Sequence, residues 1–276
     1  MDKLVFGTSG IPASTEPKTH PNAIKQIHKL GLGGMEIELT RQVRLKKDDI
    51  PEIKRLSKEL DIIITAHGPY YINLNSLIKE TIEASIERAI NTARLAYQCG
   101  AYSIVFHAGY NSKMKPEYVY NKVKNGFEKI FEVTDKEGIK LWIRPELTGK
   151  VSQWGELDEL IRLSNEFEMV LPCIDFSHYF ARYQGQHNSY DNFAFVLEKM
   201  AKEIGTYSLE NFHGHISGMI YGKSGEKGHI LLKETQMNYK ALIKALKDFD
   251  VKGIIICESP DSEGDALILQ EEYRLS

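Results

Sequence analysis

The sequence has few cysteines, no long apolar run and almost no net charge, and each shortage excludes a class of protein. Its three cysteines, Cys99, Cys173 and Cys257, are widely spaced in apolar segments, which is typical of buried free thiols rather than of a disulfide framework. No stretch approaches the roughly 20 apolar residues of a membrane helix. The N-terminus, MDKLVFGTSG, lacks the apolar core of a secretory signal. We therefore expect a cytoplasmic protein without a membrane partner.

The charge balance limits the possible partners. The chain has 35 Lys and Arg against 38 Asp and Glu, which gives a net charge of -3. A protein with this balance has no global attraction for a polyanion, so any nucleic acid would have to bind at a local basic surface. We expect the chain to be a monomer.

Short apolar runs alternate with longer amphipathic runs along the whole chain. This alternation is typical of repeated strand-helix units and of a parallel sheet. The continuous apolar character of the short runs suits strands that are covered on both faces. The eight predicted strands are Leu4–Thr8, Gly34–Leu39, Ile62–Ala66, Ser103–Phe106, Lys140–Arg144, Val170–Ile174, Asn211–Ile216 and Gly253–Cys257.

The segments between these strands have the periodicity and the start signals of helices. The clearest is Leu77–Tyr97, which has isoleucines near helical spacing and Gly100 as a stop signal. Eight strand-helix units fit the roughly 250 residues of a (β/α)8 barrel. We predict an α/β fold with one TIM-barrel domain over residues 1–276, and a doubly wound open sheet is the alternative. The other predicted helices are Ala23–Leu30, Asp48–Glu59, Pro116–Asp135, Trp154–Asn165, Asn192–Lys202, Tyr239–Asp248 and Asp261–Tyr273.

Six consecutive predicted strands carry a His, Asp or Glu at or just beyond the carboxyl end. TIM-barrel enzymes build their active sites at this end of the barrel, so these side chains are expected to converge on one cup. Burying them together is costly unless cations satisfy their charges and lone pairs. In chain order they are His67, His107, Glu146, Asp175, His178, His213, His215 and Glu258.

The types of these side chains indicate the metal. Imidazole mixed with carboxylate, and no cysteine in place, favours zinc or manganese over calcium or an iron-sulfur cluster. Eight or nine candidate ligands are too many for one ion, so we predict two or three. Such clusters neutralise phosphate and activate water, which indicates phosphoester hydrolysis. His213 and His215 lie two positions apart on one strand and face the same way, and only one of them need be a ligand.

The strand-end motifs, in this order, resemble those of the endonuclease IV family of apurinic/apyrimidinic endonucleases. HGPYYINL from His67 resembles the family's His followed by Tyr-x-Ile-Asn-Leu, and FHAG around His107 resembles its Phe-His-x-Gly. CIDFSH from Cys173 resembles its Cys-x-Asp-x-x-His, and Glu146 and Glu258 resemble its strand-end glutamates. The resemblance implies a barrel with three zinc ions that cleaves the phosphodiester 5′ to abasic sites during DNA repair. DNA containing abasic sites would then be the partner.

The resemblance also implies how the ions are held. The first set is His67, His107 and Glu146; the second is Glu146, Asp175, His215 and Glu258, with Glu146 as the catalytic bridge; the third contains His178 and His229. Family members also supply an aspartate two residues before that last histidine, and here Lys227 stands in its place. The neighbouring Glu226 is the carboxylate that could replace it.

A second departure lies after the second strand, where the family has an aromatic-rich, Arg-containing loop that enters the DNA stack. This chain has EIELTRQVR, from Glu36 to Arg44, instead. Arg41 and Arg44 are the candidates for phosphate contact and Tyr70 for stacking, and a solvated basic edge is an equal interpretation.

The main alternative function is a sugar isomerase or epimerase of the related xylose-isomerase-like barrels, which resemble this chain in Glu146, Asp175, His215 and Glu258 alone and usually hold one divalent ion. A non-catalytic metal-binding protein is a third possibility.

Overall fold

The computed structural model describes all 276 residues, and the eight apolar runs form one parallel sheet. Its hydrogen-bonded order is β5-β4-β3-β2-β1-β10-β7-β6. Isolated parallel bridges join Ile143 to Val170 and Glu146 to Cys173, which connects β5 to the segment entering β6. The sheet therefore curls into the predicted barrel, and the open-sheet alternative is wrong. The strands are β1 (Leu4–Ser9), β2 (Gly34–Glu38), β3 (Ile63–His67), β4 (Ser103–Phe106), β5 (Trp142–Pro145), β6 (Ile174–Asp175), β7 (Phe212–Ile216), β8 (Gly218–Gly222), β9 (Gly225–Ile230) and β10 (Gly253–Cys257).

Helices follow the strands and cover the outside of the barrel. The first shows the local signals clearly: the Thr19 side chain accepts a hydrogen bond from the backbone N–H of Asn22, and Gly31 ends the helix with φ 74°. None of the helices has the length and apolar character needed to cross a membrane. They are α1 (His20–Leu30), α2 (Asp49–Glu59), α3 (Lys79–Gln98), α4 (Pro116–Lys136), α5 (Leu157–Ser164), α6 (Phe176–Arg182), α7 (Tyr190–Glu203), α8 (Tyr207–Glu210), α9 (Tyr239–Asp248) and α10 (Ser262–Leu275).

One hydrophobic core lies between the strands and the helices. The strands are buried almost throughout, which explains their continuous apolar sequence. Aromatic rings fill the layer under the helices, where Phe106 stacks on Phe127 at 5.7 Å. This packing fixes the strand ends and with them the side chains that the ends carry.

The sixth strand is shorter than predicted. It covers only Ile174–Asp175, whereas we predicted Val170–Ile174. Pro172 explains the difference, because proline has no N–H to donate to a ladder. The segment before β6 still runs alongside β5, because the N–H of Cys173 donates to the carbonyl of Pro145 at 3.0 Å.

Two elements near the cup were not predicted. Helix α6 starts directly after Asp175, and an antiparallel hairpin of β8 and β9 follows β7. The hairpin docks on the loop between β5 and α5, where the N–H of Glu226 donates to the carbonyl of Gly149 at 3.0 Å. Lys150 and Gly225 form a bridge in the same place. The hairpin thus forms one wall of the cup.

Candidate metal centre

The strand-end side chains converge on a cavity of about 350 Å³ at the carboxyl end of the barrel. Each is placed there because parallel strands end at the same rim. The histidines and carboxylates that line the cavity are His67, His107, Glu146, His178, Glu226, His229 and Glu258.

Glu146 lies at the centre of these side chains and is 1% exposed. Its Oε2 is 3.2 Å from Nε2 of His67 and 2.9 Å from Nε2 of His107. Its Oε1 is 3.2 Å from Nδ1 of His178 and 3.4 Å from Nδ1 of His215. One carboxylate oxygen therefore faces each half of the cup, which is the geometry expected of a bridging ligand.

The first candidate set is His67, His107 and Glu146, whose ligand atoms lie within 4.8 Å of one another. Nδ1 of His67 lies 2.8 Å from the carbonyl of Gly68. Because a carbonyl only accepts, Nδ1 donates to it, and Nε2 is the ring nitrogen that faces the cup. Nδ1 of His107 faces the side-chain amide of Gln153 at 3.4 Å. Outer partners of this kind orient histidine ligands in metal sites.

The second set is Glu146, Asp175, His215 and Glu258, again within 4.8 Å. Oδ1 of Asp175 accepts from the N–H of His178 at 2.7 Å, which leaves Oδ2 free. That Oδ2, Oε1 of Glu146 and Nδ1 of His215 are buried and have no hydrogen-bond partner in the protein. Buried polar atoms are nearly always satisfied. Three buried polar atoms without a partner, all from one ligand set, fit a divalent cation with nitrogen and oxygen ligands.

The third set is His178, Glu226 and His229. In the hairpin, His229 pairs with Met219, Gly228 with Ile220, and Glu226 with Tyr221. Lys227 is the extra residue of a β-bulge, and it is exposed. A bulge shifts the alternation of side chains by one residue. Glu226 and His229, three positions apart, therefore face the cup together, as two residues of a regular strand would at a spacing of two.

The structure separates His215 from His213. Nδ1 of His215 faces the cup, 3.4 Å from Oε1 of Glu258, whereas His213 lies deeper, with its Nδ1 3.0 Å from the hydroxyl of Ser103. Burial lowers the pKa of His213 to about 4. His215 is thus the member of the pair that belongs to the second set.

The carboxylates in the cup raise the pKa values of the histidines around them and so favour cations at this place. Burial lowers the pKa of His67, but the hydrogen bond and charge of Glu146 outweigh it and raise the pKa to about 10. His178 has its pKa raised to about 10 against burial, by Asp175 and then Glu146. The pKa of Glu146 is well below its usual range because the surrounding histidines outweigh its burial. When no metal is bound, the protons on these histidines balance the negative charge of the carboxylates.

Comparison with known proteins identifies the family. The sequence profile of the AP endonuclease 2 family, described as xylose isomerase-like TIM barrel, matches residues 24–275. The chain belongs to this family. A curated relative, the uncharacterized protein MJ0133 of Methanocaldococcus jannaschii, is 42% identical over 270 residues, which cover 98% of this chain and 97% of the relative.

Solved structures of this fold include both classes of enzyme considered from the sequence. Endonuclease IV from Thermus thermophilus has a TM-score of 0.76 at 18% identity and covers 99% of this chain and 100% of its own. A D-tagatose 3-epimerase-like protein has a TM-score of 0.73 at 16% identity, covering 98% of this chain and 97% of its own. The 3-keto-D-glucoside 4-epimerase of E. coli has 0.71 at 18%, covering 99% and 100%. At these identities the likeness shows the fold.

The proposed substrate-binding residues have different positions in this family fold. Tyr70 lines the cup and is 60% exposed, with its ring 5.8 Å from that of His67. Arg41 and Arg44 are exposed and do not line the cup. Arg44 instead lines a second groove of about 680 Å³, together with three lysines, Lys18, Lys46 and Lys47, and with His20 and Asp49.

Four residues of the site were missed from the sequence. Lys150, Gln153 and Tyr110 line the cup from loops, where no periodicity marks a functional side chain. Glu36 lies beside His213 and His215 inside the barrel. A signal for it was present, because a glutamate in the middle of the otherwise apolar strand β2 must have a polar partner.

Proposed function

We propose that this chain is a zinc-dependent phosphodiester hydrolase of the endonuclease IV type that cleaves DNA 5′ to abasic sites. The observation that carries the proposal is the meeting of three ligand sets in one cup, two of them sharing Glu146 and the third built on the hairpin. Ions held there would polarise phosphoryl oxygens and lower the pKa of water. A site with this many ligands suits a substrate whose own charge is negative.

The residues of the chain have distinct tasks in this proposal. Glu146 joins the two halves of the cup, with its Oε1 directed to one half and its Oε2 to the other. The backbone carbonyls of Gly68, Leu147 and Glu258 each lie within 3.0 Å of a ring nitrogen of a histidine and fix its orientation. The ligands are thus held in place before a substrate arrives, which reduces the cost of reorganisation in the transition state.

The surroundings of the cup also support a DNA substrate. The N–H of Tyr70 donates to the carbonyl of Thr40 at 3.0 Å, so the cup rim adjoins the basic segment after β2. That segment leads from Arg41 to the basic groove that contains Arg44. Tyr70 and Tyr110, 60% and 43% exposed, offer ring faces at the rim. Basic side chains next to exposed aromatic rings are typical of surfaces that bind nucleic acids with unstacked bases.

The test uses a duplex oligonucleotide with one abasic analogue, together with zinc determination on the same preparation. We expect a single nick 5′ to the analogue that a chelator abolishes and zinc restores. Glu146→Gln should lose both the nick and bound zinc. Glu168→Gln, an exposed glutamate in the loop before β6, is the matched control and should behave as the wild type. No nick by fully zinc-loaded wild type would refute the proposal.

A sugar epimerase or isomerase with one ion is the second candidate. It is favoured by the second ligand set, which is complete without the hairpin and contains three carboxylates, Glu146, Asp175 and Glu258. Structures of epimerases share the fold. Incubation with ketohexoses in D2O distinguishes the two: solvent deuterium incorporated at a carbon next to the carbonyl, together with no DNA nick, would establish the epimerase.

A further inference from the structure

A layer of buried polar side chains lies inside the barrel beneath the cup. Glu36, Thr65, Ser103 and His213 are all 0% exposed. The interior of a TIM barrel is usually filled by branched apolar side chains. A carboxylate placed there is costly unless its neighbours hold its charge. Its surroundings therefore indicate what it does.

Glu36 faces three potential donors. The hydroxyl of Thr65 donates to its Oε2 at 2.7 Å. Nε2 of His213 lies 3.4 Å from the same oxygen and Nε2 of His215 lies 3.0 Å from Oε1, both at ion-pair distance but without the alignment of a hydrogen bond. No lysine or arginine pairs with Glu36, so its charge is matched through the imidazoles.

The partners of each ring fix where its proton lies. An ionised carboxylate only accepts, so a ring nitrogen that faces Glu36 carries a proton. His213 is consistent with this, since its Nδ1 faces the hydroxyl of Ser103, which can donate to it. With one proton of His215 fixed on Nε2, its Nδ1 is the nitrogen that can bind an ion, and it lies 3.4 Å from Oε1 of both Glu146 and Glu258.

We infer that Glu36 is a positioning residue that holds His215 in the tautomer whose Nδ1 faces the second ligand set. This inference rests on the metal centre of the proposed function. Three other histidines of the cup have backbone carbonyls as outer partners, Gly68 for His67, Leu147 for His178 and Glu258 for His229, and His107 has the side-chain amide of Gln153. His215 lies within β7, between β6 and β10, where backbone carbonyls are committed to the sheet. Glu36, on β2, is the outer partner of His215 instead.

The test is Glu36→Gln, with zinc affinity measured by stepwise competition against a chelator. The amide keeps the shape of the side chain but has one acceptor atom in place of two, so one imidazole faces an NH2 group. We expect the affinity of one zinc ion to fall about 10–100-fold while the others are retained. Ser103→Ala is the matched control: it removes a contact with His213 in the same layer but leaves Glu36 and its contact with His215, and should bind zinc like the wild type. An equal loss in Ser103→Ala would overturn the inference.

A measurement on the wild type tests the inference without any variant. Long-range 1H-15N NMR of the histidine-labelled, zinc-loaded protein reports which ring nitrogen carries the proton. We expect His215 to be protonated at Nε2 and coordinated through Nδ1, and Glu36→Gln to change this pattern. Coordination through Nε2, or an unchanged pattern and affinity in Glu36→Gln, would overturn the role of Glu36 while leaving the metal centre intact. A wild type that binds no zinc would refute the proposed function itself.

Discussion

Zinc binding to the metal-free protein should release about one proton per ion at about pH 8. Each of the three ligand sets contains one histidine whose pKa is raised by neighbouring acidic side chains, which are carboxylates for His67 and His178, and Cys173 followed by Glu258 and Glu36 for His215. For His67 and His178 the pKa is raised to about 10, and for His215 it lies well above its usual value. These rings are protonated while the cup is empty, and an ion can bind only when they lose their protons.

The size of the release follows from the pKa values. At about pH 8, a histidine with a pKa of about 10 is about 99% protonated, whereas one at about 6.5 is only about 3% protonated. The two rings with a pKa of about 10 therefore give about two protons per chain, against about 0.06 from two ordinary histidines, and His215 adds to the release because its pKa is also raised. Because the pKa values are raised, the apparent zinc affinity should rise with pH up to about pH 10, as fewer protons compete with the ion.

The assay is a titration of chelator-treated protein with zinc in weakly buffered solution containing a pH indicator. His67→Gln removes one of the histidines with a raised pKa, and it should release about one proton fewer per chain. Variants of exposed histidines such as His28 should release the same number as the wild type. A release well below one proton per zinc ion in the wild type would show that the histidines are neutral before the metal binds, and the electrostatic argument for the cup would fail.

Three further predictions concern the third ligand set and the loop that supports it. Glu226→Gln should lower zinc content by one ion and Lys227→Ala should not, because only Glu226 faces the cup; metal analysis of both purified variants checks this. Gly149→Ala should lower the free energy of unfolding in urea by about 1–3 kcal/mol, because the new Cβ would lie 2.7 Å from Cβ of Glu226. Gly228→Ala is the control, since its new Cβ would meet nothing within 4 Å. Arg182→Met should cost about 1–3 kcal/mol in the same assay, because its guanidinium donates to the carbonyls of Thr148, Lys150 and Gln153; a cost near zero would mean that water satisfies these carbonyls.

Much of the fold could be predicted from the sequence because a parallel barrel repeats one simple pattern. Strands buried on both faces are continuous apolar runs, and all eight were found, β4 and β10 with the bounds that the structure has. The errors occur where a local feature breaks the pattern. Pro172 shortens β6, and the polar, glycine-rich hairpin after β7 has no apolar alternation to reveal it.

The ligands that the sequence predicted are those attached directly to strand ends, such as His67, Glu146 and Asp175. A strand end fixes the position of a side chain, so sequence order alone brings these residues together. Lys150 and Gln153 depend on the path of a loop, and Glu36 acts from within the barrel, one layer below the cup. Their positions follow from tertiary contacts, which a linear pattern does not contain.

The third ligand set shows why a missing motif residue need not mean a missing site. The family aspartate is replaced by Lys227, and on a regular strand Glu226 would point away from His229. One extra residue in β9 reverses this, since the bulge turns Lys227 outward and returns Glu226 to the face of His229. The docking of the hairpin on Gly149 then holds that face against His178. The third candidate set, and with it the proposed multi-ion centre, therefore depends on a bulge and a loop outside the barrel.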